Sequence, residues 1–494
     1  MPSHIPTSLL LAGASAAALI VTLAFRRPST VRNIEGPPSP SWLFGSMIQL
    51  FIPAQHGDHE FQWQKAYGAA YRLKGCFGED RLMLSDPAAM QFIINNSKFE
   101  HSPVFHNLTK LLSDKRSLSV AKGDRHKRLR ATSVRHYQPL MQKAAEGMSR
   151  TLENAMSTSP SQDINIYPML ATASLSSISE AVFGGASQDL IQEFVRTNTR
   201  AASLSTGLNG TIVLIDAVGS HLPEWVWDIV TLLPTAAFNI LRRVKHLARR
   251  IGKRVVREKM DAISQGLEME NDVFTRLLSG KMNMTLTDED VAAQTSLFLI
   301  AGQEPAAHTM AFGIYELSRN PDFQDSLRRE IHSARGSDAG VVYGDMPLLN
   351  AFIKEILRMY PIGPLIERVA TEDTIPIQKG QVINLAIASY QRLESLWGID
   401  AGEFKPLRWV EGSAYRGEAI GPYANLLTFL GGPRTCLGCE FNILEMQVVF
   451  CELVANFSFT LAEHDFLRLR GSTILTPTNS AGQKGAPFRV TQIV

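Results

Sequence analysis

The chain has 494 residues, of which 45% are hydrophobic and 19% are charged, a composition that predicts a large globular core and excludes a disordered or fibrous chain. Its formal net charge of +2 is too small to favour nucleic-acid binding. Four cysteines in so long a chain provide no disulfide framework, which suits a catalytic body facing a reducing compartment.

An apolar run without charge extends from Leu9 to Phe25, and Arg26, Arg27 and Arg32 follow it. Such a run is close to the lower limit of roughly 17 residues for crossing a bilayer, so residues 1–27 are predicted to be a transmembrane anchor. Because the basic residues follow the run, the positive-inside rule places the rest of the chain in the cytosol. A cleaved signal peptide is the alternative, since small residues between Ala12 and Ala18 permit cleavage.

Residues 28–45 include a proline-rich stretch that cannot continue a helix and is predicted to be a stiff hinge. No repeat, low-complexity block or second boundary follows it. Residues 46–494 are therefore expected to form one catalytic domain.

Most later patterns are helical, with short strands at the edges. The predicted elements are a hairpin of strands 72–76 and 82–84, a helix from Pro87 through Ile94, a long helix capped by Thr287 through about Leu317, and a helix over 352–359 that ends before Pro361. The fold class is thus mainly α with a small β portion.

Two of the helical segments pair polar residues on one face. His126 and Arg130 are four residues apart, and Glu355 and Arg358 are three apart, so each pair shares one side of a helix. Arg125, Lys127 and Arg128 point elsewhere and form either a docking surface for an acidic partner or an ordinary solvated face.

The long helix contains a proline at its middle. Pro305 lacks an N–H, and its ring is expected to push off the carbonyl of Ala301 and open a groove there. Thr309 lies one turn further on, about 6 Å away by the helical pitch. Its hydroxyl is therefore expected to be too distant to act at position 305.

Phe429 to Gly438 form the most informative stretch of the chain. Cys436 offers a thiolate, Phe429 an apolar ring and Gly438 backbone room beside a flat macrocycle, while Arg434 offers a cation for a carboxylate. Apolar residues continue at helical spacing after Cys436, so the sulfur is expected at a helix entrance, where the helix dipole favours an anion. Backbone N–H groups of the turn would tune a metal bound there.

Other interpretations of the cysteines exist. Cys436 alone could be a buried inert side chain, although the surrounding glycines and arginine argue against this. The spacing of Cys436 and Cys439 also fits a zinc or redox pair, but no second pair accompanies it, so Cys439 is interpreted as core packing.

This loop resembles the cysteine-ligand loop of the cytochrome P-450 family, whose pattern Phe-x-x-Gly-x-Arg-x-Cys-x-Gly is met at every fixed position. The resemblance implies the P-450 fold, haem b (iron protoporphyrin IX) as cofactor, and Cys436 as the ligand of its iron. Glu355, Arg358 and Arg408 resemble the family's structural triad beneath the haem. His126, Arg130, Arg368 and Arg434 resemble its haem-propionate contacts.

Residues 298–307 resemble the family's oxygen-activating segment, usually Ala-Gly-x-Glu-Thr-Thr, with one departure. The resemblance makes Glu304 the acid that connects the site with solvent, but Pro305 replaces the threonine whose hydroxyl relays protons. The substrate-contacting positions of the family fall on apolar residues that could equally be plain core: Phe298, Ile300, Ala301, Ile362, Leu365 and Ile474.

The resemblance implies a microsomal monooxygenase similar to fungal secondary-metabolism members. It would use O2 and electrons from an NADPH-dependent flavoprotein reductase to oxidise a lipophilic small molecule, as a single-pass protein of the endoplasmic reticulum membrane with a cytosolic catalytic domain. Two alternatives stay open. One is an isomerase or dehydratase that acts on a peroxide without O2, and the other is a haem-thiolate binding or sensor protein without catalysis.

Overall fold

The computed structural model describes residues 29–119, 137–158, 163–185, 188–205, 209–222, 224–267, 271–279, 287–337, 340–374, 376–412, 419–462, 468–470 and 474–493. The predicted anchor over residues 1–27, and His126 and Arg130, lie outside these ranges. Within them, no helix has the length and apolar character needed to cross a bilayer.

The described part of the chain is mainly helical, as predicted. Its helices are α1 (Met47–Phe51), α2 (Glu60–Tyr67), α3 (Pro87–Asn95), α4 (Pro103–Leu112), α5 (Gln138–Thr158), α6 (Tyr167–Phe183), α7 (Gln188–Ser205), α8 (Gly210–Gly219), α9 (Glu224–Val230), α10 (Ala236–Ser264), α11 (Val273–Leu278), α12 (Asp288–Ala292), α13 (Thr295–Arg319), α14 (Pro321–Arg335), α15 (Pro347–Met359), α16 (Ile387–Tyr390), α17 (Glu394–Trp397) and α18 (Cys439–Asn456).

Short strands make up the β portion. They are β1 (Ala70–Lys74), β2 (Asp80–Leu84), β3 (Phe99–His101), β4 (Ile164–Asn165), β5 (Leu365–Ala370), β6 (Val382–Ala386), β7 (Phe457–Leu461), β8 (Arg468–Arg470), β9 (Thr476–Thr478) and β10 (Pro487–Gln492).

The smaller of two compact units contains the largest sheet. This unit consists of the described residues of Met1–Asn107, Gly207–Leu232 and Leu365–Ala386. Its five strands run in the order β1-β2-β6-β5-β3, and only the β2–β6 pair is parallel. Alternate residues of β1, Tyr71 and Leu73, are buried against the core of this unit.

The larger unit contains the long helices and consists of the described residues of Leu108–Thr206, Leu233–Pro364 and Ile387–Val494. Its core includes Phe312, Phe352 and Phe450, and the rings of the last two meet edge to face with centroids 4.9 Å apart. A three-stranded sheet, β4-β10-β7, and the β8–β9 pair complete this unit.

Two local predictions are confirmed. The hairpin joins β1 to β2 with Leu73 opposite Arg81, although the strands begin two residues earlier than predicted. Helix α3 begins at Pro87 because Asp86 accepts a hydrogen bond from the N–H of Ala89 at 2.9 Å.

The long helix predicted from Thr287 is divided into two pieces. Thr287 and Asp290 form the expected capping box, but α12 ends at Ala292 and α13 begins at Thr295. At the break, the Gln294 N–H donates to the carbonyl of Val291 in a tighter turn, and its side-chain amide donates to the carbonyl of Asp290 at 2.7 Å. Continuous helix over this stretch was therefore a wrong prediction.

Candidate functional site

Cys436 lies at the end of a tightly turned loop that precedes α18. A 3-10 turn covers Gly432–Arg434, and Leu430 and Gly432 have positive φ values of 54° and 62°. The Cys436 N–H donates to the carbonyl of Phe429 at 2.8 Å, which closes the loop. Phe429 itself is buried in the core of the larger unit. The loop backbone is therefore fixed by its own short-range bonds.

The side chain of Cys436 is exposed but recessed among protein atoms. Burial raises the pKa of the thiol, and a hydrogen bond from the backbone of Gly438 opposes that rise. A side chain at Gly438 would place its Cβ only 3.0 Å from Nδ2 of Asn442, so a larger residue there would require the Asn442 side chain to shift. A metal ion deprotonates a coordinating thiol outright, so a raised pKa in the free thiol is compatible with a thiolate ligand.

Cys439 packs in the core, as predicted. It is 8% exposed, and burial raises the pKa of its thiol to about 12, with Cys436 and Glu440 adding to the effect. Among the residues that the structure describes, no three His, Cys, Asp or Glu side chains stand together as a metal site would require. Nothing in those residues supports the zinc interpretation.

The structure brings Glu355, Arg358 and Arg408 together, and all three are buried. Arg358 donates to both carboxylate oxygens of Glu355, at 2.8 and 2.9 Å, and Arg408 donates to one of them at 3.1 Å. The indole N–H of Trp409 donates to the other oxygen at 2.8 Å. The buried carboxylate is therefore fully paired, as a charge in the interior must be.

Gln391 connects this buried triad with the cysteine loop. Its backbone carbonyl accepts from Arg358 Nη1 at 2.8 Å. Its side-chain oxygen accepts from the N–H of Leu427 at 2.9 Å, while its side-chain amide donates to the carbonyl of Leu357 at 3.0 Å. The triad thus supports the segment that leads into the loop.

Glu304 forms an ion pair that no local pattern predicted. Its carboxylate accepts from Lys484 Nζ at 2.8 Å, and both side chains are about one-sixth exposed, at 16% and 17%. Lys484 is held by its own backbone, because its carbonyl accepts from Asn165 Nδ2 at 2.8 Å. The acid is therefore fixed by a lysine from the segment before β10.

Pro305 lies inside α13, as predicted, and is half-buried. The hydroxyl of Thr309 donates to the carbonyl of Pro305 at 2.9 Å, and Thr309 itself is only 4% exposed. The one hydroxyl a turn away is thus committed to the helix backbone. This agrees with the expectation that Thr309 does not replace the missing threonine.

His308, one turn after Glu304, is buried with its ring 5.4 Å from that of Tyr167. Burial lowers the pKa of His308 to about 3, the ammonium of Lys484 adds to the effect, and a backbone contact with Leu475 opposes it. The imidazole is therefore neutral near pH 7 and lacks the acidic second proton of an imidazolium.

The apolar positions on α13 differ in exposure. Phe298 and Ile300 are half-buried, and Ala301 beside them is exposed. The ring of Phe298 meets that of Phe274 edge to face, with centroids 6.4 Å apart. These residues present apolar surface on the same helix as Glu304.

The other predicted pocket residues, Ile362, Ile474 and Leu365, differ in location and exposure. The N–H of Leu475 donates to the carbonyl of Ile362 at 2.8 Å, which brings two of the predicted loops together, and Ile474 beside it is 46% exposed. Leu365, in contrast, is buried in the core of the smaller unit.

The predicted propionate contacts are only partly described. Arg434 is half-buried in the 3-10 turn before Cys436. Arg368 is buried on β5 of the smaller unit, where Nη1 donates to Nδ1 of His101 at 2.8 Å. Their role at a propionate stays a prediction.

Sequence reasoning missed Lys484, His308 and Tyr167. His308 follows Glu304 by one helical turn, so helical spacing could have identified it. Lys484 is 180 residues from Glu304, and Tyr167 precedes its ring partner His308 by 141 residues, so both contacts lie far beyond any helical spacing. No short pattern contains either contact.

The mainly helical fold and the exposed, backbone-bonded thiol at the entrance of α18 are those expected of a haem-thiolate protein. The family model of cytochrome P450 matches residues 35–481. Cytochrome P450 monooxygenase 91 of Postia placenta is 26% identical over 94% of both chains, and Cytochrome P450 monooxygenase 219 of the same fungus is 29% identical over 87% of this chain and 88% of its own. Ganoderic acid synthetase of Ganoderma lucidum is 25% identical over 92% of this chain and 93% of its own.

The chain belongs to the cytochrome P450 family and is a haem-thiolate monooxygenase, which confirms the resemblance noted from the cysteine loop. The residues present fit the haem that this family holds. The sulfur of Cys436 is accessible, a backbone N–H points at it, and Gly438 leaves the space beside it open.

Proposed function

We propose that this monooxygenase oxidises a lipophilic small molecule of secondary metabolism while anchored in the endoplasmic reticulum membrane by residues 1–27. Its cofactor is haem b, and its electrons come from an NADPH-dependent flavoprotein reductase. The observation that carries the proposal is the accessible sulfur of Cys436 with the Gly438 backbone bonded to it. Haem ligated by a thiolate supplies oxygen activation, because the thiolate pushes electron density towards O–O cleavage.

In this proposal, the chain's own residues hold the cofactor and tune the ligand. Cys436 binds the iron, and the Gly438 N–H limits how strongly the sulfur donates electrons. Arg434 and Arg368, with His126 and Arg130, bind the propionates. The triad around Glu355 keeps the segment before Cys436 in place through Gln391.

The lipophilic substrate class is supported by the apolar surface on α13. Phe298, Ile300 and Ala301 offer no charge and no hydrogen-bonding side chain, and Ile362 and Ile474 add aliphatic surface from the two joined loops. Secondary metabolism is supported by the name of one relative, a ganoderic acid synthetase. An apolar substrate would gain about 25 cal/mol for each Å² of surface it buries in such a pocket.

Proton delivery in this proposal runs through Glu304 and water, or through a hydroxyl of the substrate. Pro305 offers no hydroxyl, Thr309 is bonded to the Pro305 carbonyl, and His308 is neutral. Glu304 is the remaining acid on this stretch of α13, and Lys484 holds its carboxylate in one position. Lys484 therefore acts as a positioning residue.

The proposal is tested by turnover with a reductase. With NADPH, O2 and a fungal flavoprotein reductase, the enzyme should consume O2 in the presence of apolar metabolites that shift the haem spectrum. The fraction of NADPH that ends in product is then compared between the wild type and Pro305→Thr. If the two fractions are equal, position 305 does not limit proton delivery.

A second candidate function is favoured by Pro305 alone. An enzyme that rearranges or dehydrates a peroxide needs no protons for oxygen activation, so it has no use for the threonine hydroxyl. This reading keeps Cys436 as the iron ligand but needs neither O2 nor a reductase. Turnover of lipid hydroperoxides by the purified haem protein alone would favour it, whereas strict dependence on NADPH and reductase would exclude it.

A further inference from the structure

A cleft with mostly charged walls lies in the larger unit, and none of the residues that line it belongs to the site described above. Its walls carry four basic and two acidic side chains: Arg116, Lys245, Arg249, Lys253, Asp114 and Glu289. Small side chains form the rest of the lining: Ala248, Ala292, Ala293 and Ser296. We name this feature the α10 cleft, because α10 supplies three of the cations.

Helix α10 presents these three cations along one edge of the cleft. Lys245, Arg249 and Lys253 follow one another at intervals of four residues, so successive Cα atoms lie about 6 Å apart on the same helical face. Like charges at this spacing repel each other. An anion bound between them would remove that repulsion.

The acidic side chains of the cleft only partly balance its cations. Arg116 approaches Glu289 at 3.6 Å, and Asp114 accepts from the backbone N–H of Arg116 at 3.0 Å. Arg249 and Lys253 are exposed and make no ion pair or hydrogen bond within the described part of the chain. Four cations against two carboxylates leave the lining with a formal charge of +2.

Lys245 is the most enclosed of the cations. Its Nζ donates to the carbonyl of Lys110 at 2.8 Å, and the side chain is half-buried. Burial lowers the pKa of Lys245, Asp114 opposes that effect, and Lys115 and Arg249 add to it. A negative group beside Lys245 would reverse the decrease.

The lining of the cleft includes a tight contact between helices and a hydroxyl. A Cβ at Gly252 would lie 2.4 Å from the carbonyl oxygen of Ala292, so α10 and α12 approach backbone to backbone there. Ser296 on α13 is 3% exposed, and its hydroxyl has no hydrogen-bond partner among the described residues. A donor is thus available in the lining of a basic cleft.

We propose that the α10 cleft binds a dianionic phosphate group. Arg249 and Lys253 pair with its two charges, the half-buried Lys245 binds it from the less exposed end of this row, and the Ser296 hydroxyl donates to one of its oxygens. Two charges match the formal charge of the lining, and charge-assisted bonds from Arg and Lys are the strongest ones that a phosphate oxygen receives. The group is carried either by a soluble phosphate ester or by a phospholipid headgroup.

The proposal is tested by calorimetric titration of the haem-loaded full chain with inorganic phosphate, with chloride at equal ionic strength as the reference. The wild type should bind phosphate, and the double variant Arg249→Gln, Lys253→Gln should bind it at least about tenfold more weakly, since it loses both charge partners. Ser296→Ala should weaken binding by a smaller factor.

Arg254→Gln is the matched control. Arg254 lies on the same helix, but it is already paired with Glu258 at 2.9 Å and Asp189 at 3.4 Å. Its variant should keep the affinity of the wild type. The proposal fails if the wild type does not bind phosphate, if the double variant binds it normally, or if Arg254→Gln, corrected for its single charge, loses as much affinity.

Vesicles distinguish the two sources of the phosphate. The wild type and the double variant are compared on phosphatidylcholine vesicles with and without phosphatidic acid. If phosphatidic acid increases vesicle binding by the wild type but not by the double variant, the phosphate belongs to a lipid headgroup. Equal gains for both proteins, together with weaker phosphate binding by the variant, identify a soluble phosphate ester.

Discussion

At the scale of single residues, the position of Cys436, the proposed iron ligand, is predictable because the hydrogen bonds that close its loop are local. The loop closes between Phe429 and Cys436, and Gly438 bonds to the sulfur, all within ten residues. The motif therefore contains nearly all the residues whose hydrogen bonds shape the loop around the Cys436 sulfur. The hydrogen bonds that close the loop on the sulfur are local, whereas Gln391, from a distant part of the chain, supports the segment that precedes the loop.

Cys436→Ala should abolish the red-shifted band of the carbon monoxide complex in the reduced protein. The alanine has no sulfur to ligate the iron, so the band that reports thiolate ligation disappears. The measurement is a difference spectrum of purified protein with its haem content determined separately.

Cys439→Ala is the matched control for this experiment, since Cys439 is a buried thiol three residues away. It should retain the band, with a modest loss of stability for a smaller core side chain. A wild type that binds haem but lacks the band would contradict the ligand assignment.

The partner of Glu304 could not be predicted in the same way. Lys484 belongs to a turn before β10, and its contact with α13 exists only once the larger unit has folded. Periodicity and capping signals describe neighbours along the chain, so they carry no information on such a pair.

Lys484→Gln should lower the fraction of NADPH that ends in product by about tenfold, which corresponds to roughly 1.4 kcal/mol. The glutamine removes the charge that fixes the Glu304 carboxylate, so the acid is no longer held where protons are needed. Product and NADPH are measured in the same assay.

Lys484→Arg is the conservative comparison, because it keeps the charge next to Glu304. This variant should keep most of the wild-type fraction of NADPH that ends in product. Equal coupling in the wild type, Lys484→Arg and Lys484→Gln would show that Lys484 does not position the acid.

At the scale of elements, the contacts of the Glu355 triad were only partly predictable from the sequence. The spacing of Glu355 and Arg358 on one face of α15 predicts their pairing, but Arg408 and Trp409 come from a separate turn. The burial of these residues explains why the additional donors are required. A carboxylate that has lost water must be hydrogen-bonded on every side, and five N–H donors from two segments, α15 and residues 405–409, satisfy it.

Glu355→Gln should reduce stability by about 3–5 kcal/mol, because it leaves two buried guanidinium groups without their shared carboxylate. The protein should be recovered mostly without haem. The ratio of haem to protein after expression measures this effect.

Lys405→Gln is the control, since that side chain pairs with Asp400 at the surface, at 3.1 Å, with the lysine 47% exposed. Exposed pairs of this kind contribute little. Normal haem content in Glu355→Gln would contradict a structural role of the triad.

Helix α18 carries a buried acid that makes stability depend on pH. Burial raises the pKa of Glu445 to about 8 from its ordinary 4.5, and Ser174 and Ser177 on α6 oppose the rise. Between these values the unfolded chain loses a proton that the folded chain keeps. Stability should therefore fall as pH rises through this window, by at most about 1.4 kcal/mol per pH unit.

Glu445→Gln should flatten this dependence, because the amide fills the same space without titrating. The measurement is the thermal midpoint between pH 6.5 and 8. His308 does not interfere there, since it contributes only between its lowered pKa of about 3 and its ordinary 6.5, where stability rises with pH.

Glu440→Gln, at an exposed position on the same helix, removes one carboxylate without touching the buried one. This variant should show the same dependence of the thermal midpoint on pH as the wild type. Identical slopes in the wild type and Glu445→Gln would contradict the assignment.

At the scale of the whole molecule, the fold class was predictable from the helical patterns and the family resemblance, whereas the division into two units was not. The smaller unit is assembled from three segments of the chain, and its parallel pair joins β2 to β6 across about three hundred residues. No change of amino-acid composition marks the boundaries between the units, because each segment has a composition similar to that of the segments next to it in the chain.

Deletion of residues 1–27 should release the protein from the membrane fraction while the carbon monoxide spectrum stays that of the full chain. The apolar run provides the proposed anchor, and the haem contacts lie far beyond it in sequence. Fractionation of expressing cells followed by spectroscopy measures both.

The signal-peptide alternative gives a different result. A mature chain that begins after the small residues around Ala18 would show cleavage and contradict the anchor. Sequencing of the N-terminus of the full-length product decides between the two.

The break between α12 and α13 has a consequence for how this chain can vary among its homologues. The Gln294 amide accepts from the N–H of Leu118 at 2.8 Å and donates to the carbonyls of Arg116 and Asp290 at 3.2 and 2.7 Å. One side chain thus terminates the hydrogen bonding of two separate segments. Insertions in the loop around residues 116–118 should accordingly be found only together with a change at position 294, so the two sites should covary.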